Sequence, residues 1–368
     1  MKSILLVRTS AIGDVVQTFP VIEYLRAKFP AAKIDWVVEK GIAPLLRQLK
    51  GGISEHPLVD QVVEVEFKKW ARSPWLTQSR SAFKDFVQLL RKDEYDVVFD
   101  LQGNSKSALI TMLARGKEKV GYGWNSVREK PNVLATTRRF EFPLDLNIRE
   151  KYLKLVQSYY GDLDPFVSRG ISFQLSAVEA ERLQRLLNDP VMQSPFKLMV
   201  AVGSKWNNKK LGDDALISLL KEAQASANAA LVLIYGNAEE KLFAEKLLSL
   251  FPTNAIAVGD LTLPLWQALM RHVDGIIAVD SAALHFAGTA QTPSFSVFGP
   301  TSAHIFKPLE QQHHAFQGSC PYGKTFHKQC PILRSCATGA CIRNLTFKQL
   351  KSPFAKWMEE LLSQKLVK

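Results

Sequence analysis

Gly275-Ile-Ile-Ala-Val-Asp-Ser-Ala-Ala-Leu-His-Phe-Ala-Gly-Thr289 passes from an apolar run into an acid and then directly into helical spacing. A short apolar run without alternation is the habit of a strand buried on both faces, as parallel strands are. A helix starting at the strand's end is one step of a strand-helix-strand repeat. The first amides of that helix, from Ser281 onward, have no carbonyl partners, so together with the helix dipole they favour an anion such as a diphosphate. Asp280 also suits an N-cap, and His285, one turn beyond Ser281, a buried helix position.

The same cadence extends in both directions. Strand-like runs occur at Ile4–Val7, Lys33–Val38, Gln61–Phe67, Asp96–Leu101, Leu198–Val202, Ala230–Tyr235, Ala255–Val258, Gly275–Val279 and Ser294–Phe298, with helical stretches between them. This alternation predicts an α/β fold with parallel sheets. Between 160 and 196 it lapses into Gly161-Asp-Leu-Asp-Pro165, a polar Glu/Arg-rich stretch and Asp189-Pro190, which marks a linker. Two Rossmann-like domains, 1–170 and 171–368, facing each other across a cleft are therefore expected. Residues 346–366 space Phe347, Leu350, Phe354, Trp357, Met358 and Leu361 as an amphipathic C-terminal helix.

The 368 residues, 46% of them apolar, suffice for two cores. No eighteen-residue apolar run is present, and the N-terminal Met-Lys-Ser-Ile-Leu-Leu-Val-Arg is too soon charged for a secretory signal, so a cytoplasmic protein is expected. The formal charge is +12. Segment 68–92 holds seven Lys/Arg against Asp85, and 101–139 holds eight against Glu118 and Glu129. Neither segment has the aromatic-glycine pattern of an RNA-binding sheet, and zinc-finger and basic-zipper spacings are missing, which disfavours nucleic acid. An anionic lipid or glycan fits better, beside the plain reading of a solvated basic face.

Three further strand ends carry chemistry. Val202-Gly-Ser-Lys-Trp-Asn-Asn-Lys-Lys210 sets a glycine turn and lysine donors suited to phosphate oxygens. Leu233-Ile-Tyr-Gly236-Asn-Ala-Glu-Glu240 ends with acids at a helix start, able to accept from ribose hydroxyls or an adenine amine, or to cap the helix. Phe298-Gly-Pro-Thr301 is a tight turn. The first loop, Val7-Arg-Thr-Ser-Ala-Ile-Gly-Asp14, is laid out like a phosphate loop but ends in a carboxylate. Asp14 reads either as a helix cap or as a base. The loop lacks G-x-G-x-x-G, which disfavours a nicotinamide dehydrogenase.

The order and spacing of these segments, with Gln102-Gly-Asn-Ser-Lys106, resemble the lipopolysaccharide heptosyltransferases, glycosyltransferase family 9, over nearly the whole chain. Ile34-Asp-Trp-Val-Val-Glu39 and Phe67-Lys-Lys-Trp-Ala-Arg-Ser-Pro-Trp75 are most similar to the heptosyltransferase I branch. The resemblance implies the GT-B fold, ADP-L-glycero-D-manno-heptose bound by the C-terminal half and Kdo-lipid A bound by the N-terminal half. It also implies inverting transfer without a catalytic metal, peripheral to the cytoplasmic face of the inner membrane.

By the same resemblance Asp14 matches the general base and Lys209 the diphosphate lysine. Gly203, Ser204, Gly236 and Glu240 match nucleotide-binding positions, Glu240 being the nucleoside acid, and Asp280, Ser281, Ala282 and His285 match the donor motif. Lys68, Lys69 and Arg72, with Lys106 and Arg128, match basic acceptor residues. The chain departs from the family at Ala282 (usually glycine), Leu211 (tryptophan), Ala71 (basic) and Ser204 (threonine or alanine). Another transferase of the same family, using a different nucleotide sugar or acting later in the core as heptosyltransferases II and III do, and a non-catalytic glycan- or nucleotide-binding protein are the alternative readings.

All four cysteines, Cys320, Cys330, Cys336 and Cys341, fall within one short segment. Such clustering suggests a structural zinc or iron site, with His327 as a further ligand, against plain reduced thiols and a surface histidine. The spacing lacks a Cys-x₂-Cys pair.

Overall fold

A computed structural model describes residues 3–50, 57–72, 77–204 and 206–367, without the side chains at 68, 71, 72, 77, 366 and 367. The chain divides into two compact units, Met1–Gln174 and Leu175–Lys368.

Unit one contains the strands β1 (Ser3–Val7), β2 (Lys33–Glu39), β3 (Leu49–Lys50), β4 (Gln61–Val65), β5 (Tyr95–Asp100), β6 (Gly116–Tyr122), β7 (Arg138–Phe140) and β8 (Ser172–Phe173). Unit two contains β9 (Lys197–Ala201), β10 (Ala230–Ile234), β11 (Ala255–Val258), β12 (Gly275–Val279), β13 (Ser294–Phe298) and β14 (His313–Gln317). The main sheets run β4-β2-β1-β5-β6-β7 and β11-β10-β9-β12-β13-β14, and every neighbour in them is parallel. Renumbered over its own six strands, each sheet reads 3-2-1-4-5-6, the doubly wound Rossmann order. In that order the connections leave the sheet in opposite directions on either side of the innermost strand, β1 or β9. A crevice opens there at the carboxyl ends, against β5 in unit one and against β12 in unit two.

The cores follow the apolar runs. In unit one Leu5, Val7, Val37, Val63, Val65 and Val98 pack with Phe86 and Leu90 of the helix Thr77–Leu90 and Ile110 of the helix Ser105–Leu113. In unit two the strands bury Leu198, Val200, Leu231, Ile277, Val279, Phe295 and Val297. The C-terminal helix Phe347–Val367 lays Leu350, Phe354, Trp357, Met358 and Leu361 into this core. Phe295, Phe354 and Trp357 form an aromatic triplet with centroid separations of 5.2, 5.8 and 5.7 Å. Burying side chains of this size stabilises by about 1.5–3 kcal/mol each. Pro353 removes one intrahelical donor without ending the helix, because the residues after it are held by this packing.

Among the described residues no helix is long and apolar enough to cross a membrane.

Candidate functional site

In unit one the end of β1 is pinned from three sides. Thr9 donates both its N–H and its hydroxyl to Gln102 Oε1, at 2.7 and 2.8 Å, and the Trp36 indole donates to the Arg8 carbonyl at 3.0 Å. Arg8 itself is buried, 3% exposed, and its Nη1 donates to the Leu101 carbonyl at 3.1 Å. Its guanidinium carbon stands 4.9 Å from the centroid of the buried Tyr152 ring. Asp14 lies in the short helix Ile12–Val16 and meets Arg8 Nη2 through Oδ2 at 3.0 Å. The same oxygen accepts the Ala11 N–H at 3.3 Å.

The loop after β5 is folded around a buried carboxylate. Asp100 accepts from the amides of Gln102 and Gly103 at 3.0 and 2.9 Å and from Asn132 Nδ2 at 2.6 Å. Burial pushes the Asp100 carboxyl up, against these hydrogen bonds. Gly103 sits at φ +69°, a left-handed turn, with the Tyr122 ring against its Cα. The turn delivers Asn104, which accepts the Ser107 amide at 2.9 Å as N-cap of the helix carrying Lys106.

Lys106 is exposed, and its ammonium lies 5.9 Å from the Phe67 ring centroid. Phe67 opens the helix Phe67–Arg72, so Lys106 adjoins the element bearing Lys68, Lys69 and Arg72. Lys69 is 65% exposed and 3.9 Å from Glu66. The side chains of Lys68 and Arg72 lie outside the described residues. Exposed Arg128 and Lys106 both act on Glu129, whose carboxylate accepts from the hydroxyl and N–H of Ser105 at 2.6 and 2.9 Å. Those hydrogen bonds first, and the two cations after them, hold the Glu129 carboxyl below its ordinary range.

In unit two the crevice between β9 and β12 brings Lys209, Asp280, Ser281 and His285 together. The Lys209 ammonium meets Asp280 Oδ2 at 2.5 Å with both side chains largely buried. Thr301 donates its hydroxyl to the same oxygen at 2.6 Å, and His285 Nε2 lies 3.9 Å from Oδ1. Burial would raise the Asp280 carboxyl, but Lys209, His285 and Thr301 outweigh it and hold the group low. Ser281 is the N-cap of the helix Ala282–Ala290, yet its buried hydroxyl has no partner among the described residues. A polar group left buried and unpaired is costly, and here the hydroxyl stands at a helix start where it could donate to a ligand oxygen. Ala282 begins that helix and contributes its amide.

Gly203, Gly236 and Glu240 form a second group. Glu240 Oε2 accepts the Gly236 N–H at 2.8 Å, and a Cβ on Gly203 would overlap the Glu240 carboxylate. Asn237 caps the helix by accepting the Glu240 amide at 2.9 Å. Gly203 and Glu240, with Asn207, Lys210 and Leu233, line a cavity of about 1060 Å³ that Lys209, Asp280 and Ser281 do not border. Ser204 holds the Trp206 amide only loosely, at 3.4 Å, and Lys205 lies outside the described residues. Leu211 is buried in the core of unit two.

The expected metal site does not assemble. Among the described residues no group of three or more His, Cys, Asp or Glu is placed to hold a metal ion, and Cys320, Cys330, Cys336 and Cys341 are free thiols. Burial first, with the neighbouring cysteines, pushes the Cys341 thiol up to about 11, so it stays protonated. Cys336 accepts the Gly339 N–H at 3.4 Å, and His327 is exposed. The segment serves as a brace. Cys330 N–H donates to the Pro300 carbonyl at 2.7 Å, and Asn208, next to Lys209, donates to the Leu333 carbonyl at 2.5 Å.

Several of these residues carry little signal in the sequence. Arg8, Gln102, Tyr152, Asn208 and the Thr301 side chain all act through tertiary contacts. Gln102, Asn208 and Thr301 lie in segments that the sequence singles out, though not for these contacts, and the hint at Arg8 is a charged residue directly after a buried strand.

Comparison with known proteins bears on both family and fold. The family model described as "Glycosyltransferase family 9 (heptosyltransferase)" matches residues 83–335. Lipopolysaccharide heptosyltransferase 1 of Pseudomonas aeruginosa is 27% identical over 301 residues, which are 81% of this chain and 79% of that protein. The protein of the same name from Escherichia coli K12 is 26% identical over 300 residues, 81% of this chain and 88% of its own length. Among solved structures, E. coli heptosyltransferase WaaC with ADP-2-deoxy-2-fluoro heptose superposes with a TM-score of 0.72 at 21% identity, covering 96% of this chain and 99% of that one. This last likeness is one of fold.

Proposed function

The chain belongs to glycosyltransferase family 9, and on that ground we propose that it transfers a heptose from ADP-L-glycero-D-manno-heptose to Kdo of the lipopolysaccharide inner core, as a heptosyltransferase I does. The observation that carries the donor half is the unpartnered Ser281 hydroxyl at a helix N-terminus beside the Lys209–Asp280 pair. The helix amides and Lys209 offer donors to a diphosphate, and the charge that grows on departing ADP is stabilised there without a metal. Glu240, Gly203 and Gly236 bind the nucleoside.

In unit one Asp14 is the general base. A sugar hydroxyl becomes a competent nucleophile when its proton is taken as the new bond forms, an effect of about 10²–10⁴ in rate. The hydroxyl oxygen attacks the anomeric carbon, the bond to the diphosphate oxygen breaks, and the configuration inverts. Lys68, Lys69, Arg72, Lys106 and Arg128 hold the phosphates and carboxylates of Kdo-lipid A. The same charge keeps the protein on the anionic cytoplasmic leaflet of the inner membrane.

The test offers several nucleotide sugars with Kdo-lipid A. Transfer is expected from ADP-heptose and to fall by about 10²–10⁴ in Asp14→Asn with donor affinity kept. A different preferred nucleotide sugar would overturn the substrate assignment, and near-normal transfer by Asp14→Asn would overturn the base.

A further inference from the structure

Asp14 is anchored through one oxygen only. Oδ2 takes both Arg8 Nη2 and the Ala11 N–H, and Oδ1 has no partner among the described residues. The Asp14 side chain is 30% exposed while that of Arg8 is 3% exposed, so acceptor reaches the carboxylate and not the guanidinium. Arg8 is in turn immobilised by the Leu101 carbonyl and by the Tyr152 face. The cost of ordering and desolvating this long side chain is offset by the Asp14 pair, the Leu101 carbonyl and the Tyr152 ring, which together present the fork to Asp14 in one geometry. The helix Ile12–Val16 is only five residues long and could not hold its acid so firmly alone.

We propose that Arg8, backed by Tyr152, is a positioning residue that fixes Asp14 Oδ2 and leaves Oδ1 aimed at the acceptor hydroxyl. The proposal rests on the assignment of Asp14 as base. Misplacing a catalytic group by about 1 Å costs up to roughly 10² in rate. Arg8→Met therefore lowers kcat by about 10–100-fold while the donor KM stays within about twofold. Arg8→Lys, which keeps the charge but not the fork, recovers part of the loss.

A double-mutant cycle with Asp14→Asn, read in single turnovers, separates orientation from mere support. Because Arg8 acts through Asp14, adding Arg8→Met to Asp14→Asn costs less than about threefold more, a non-additive outcome. Equal cost in both backgrounds, or an unchanged kcat in Arg8→Met, overturns the proposal. Tyr152→Leu, which leaves both members of the ion pair in place, is expected to behave likewise and carries the test if Arg8→Met fails to fold. ADP titration of each variant reports whether unit two is intact. Normal transfer by Asp14→Asn would instead defeat the base assignment itself, a result distinguishable from failure of the Arg8 proposal.

Discussion

Among single residues, the Lys209–Asp280 pair is the group most open to test by pH. Asp280 is held low in the folded chain by Lys209, His285 and Thr301, against the upward pull of burial. A carboxyl depressed on folding contributes stability above its unfolded value and loses it as pH falls through the folded one. The stability difference between the native chain and Asp280→Asn, followed by urea unfolding, is therefore expected to be steady from about pH 5 to 8 and to shrink below about pH 4. A difference that grew on acidification would contradict the pairing. Asp280 and Lys209 are legible in the sequence because each comes after a strand end. Their mutual contact is not, since it joins positions far apart in the chain, and neither is the Arg8–Tyr152 stack.

Among the elements, the strands with apolar runs are readable, β4 and β11 at the sheet edges included, and the more polar β6, β7 and β14 are not. Gly116-Lys-Glu-Lys-Val-Gly-Tyr122 forms β6, Arg138–Phe140 forms β7 and His313–Gln317 forms β14. Their charged and polar residues are tolerated because β7 and β14 lie at sheet edges, and β6 is only partly covered where it starts. In the cysteine segment Cys320, Cys330 and Cys336 lie near enough to act on Cys341, yet among the described residues no three are placed to share an ion, a distinction that spacing does not carry. Cys336 is half-buried, and the Gly339 N–H followed by Thr338 lowers its thiol, whereas Cys341 stays protonated to about 11. Mass spectrometry after brief iodoacetamide treatment near neutral pH is expected to find Cys336 modified well before Cys330 and Cys341. Equal labelling of all three, or labelling that appears only after a chelator, would count against the thiols described here.

Taken over the full chain, the +12 charge is unevenly usable. Lys209 is largely buried and paired with Asp280, while Lys69, Lys106 and Arg128 stand in solvent. Exposed charges act at long range and are screened by salt, with a Debye length of about 8 Å at 0.15 M, whereas a buried pair is screened much less. Raising ionic strength is expected to increase the KM for Kdo-lipid A severalfold and to leave that for the donor nearly unchanged. Matching rises in both would point to a diffuse basic surface.

The repeated strand order bears on how the molecule tells its two ligands apart. Both crevices open beside the innermost strand of a like sheet, so by shape alone each is a candidate berth for a nucleotide. The loops leaving those two strands each carry one member of an ion pair, Asp14 on buried Arg8 after β1 and Lys209 on Asp280 after β9, and they differ in exposure: Asp14 is 30% exposed, whereas Lys209 and Asp280 are 14% and 9% exposed. Under the proposed assignment, the exposed carboxylate at the first helix turn disfavours a diphosphate in the one berth, while the other offers a lysine beside a helix start. Two copies of one frame would then avoid self-competition by how each places its ion pair.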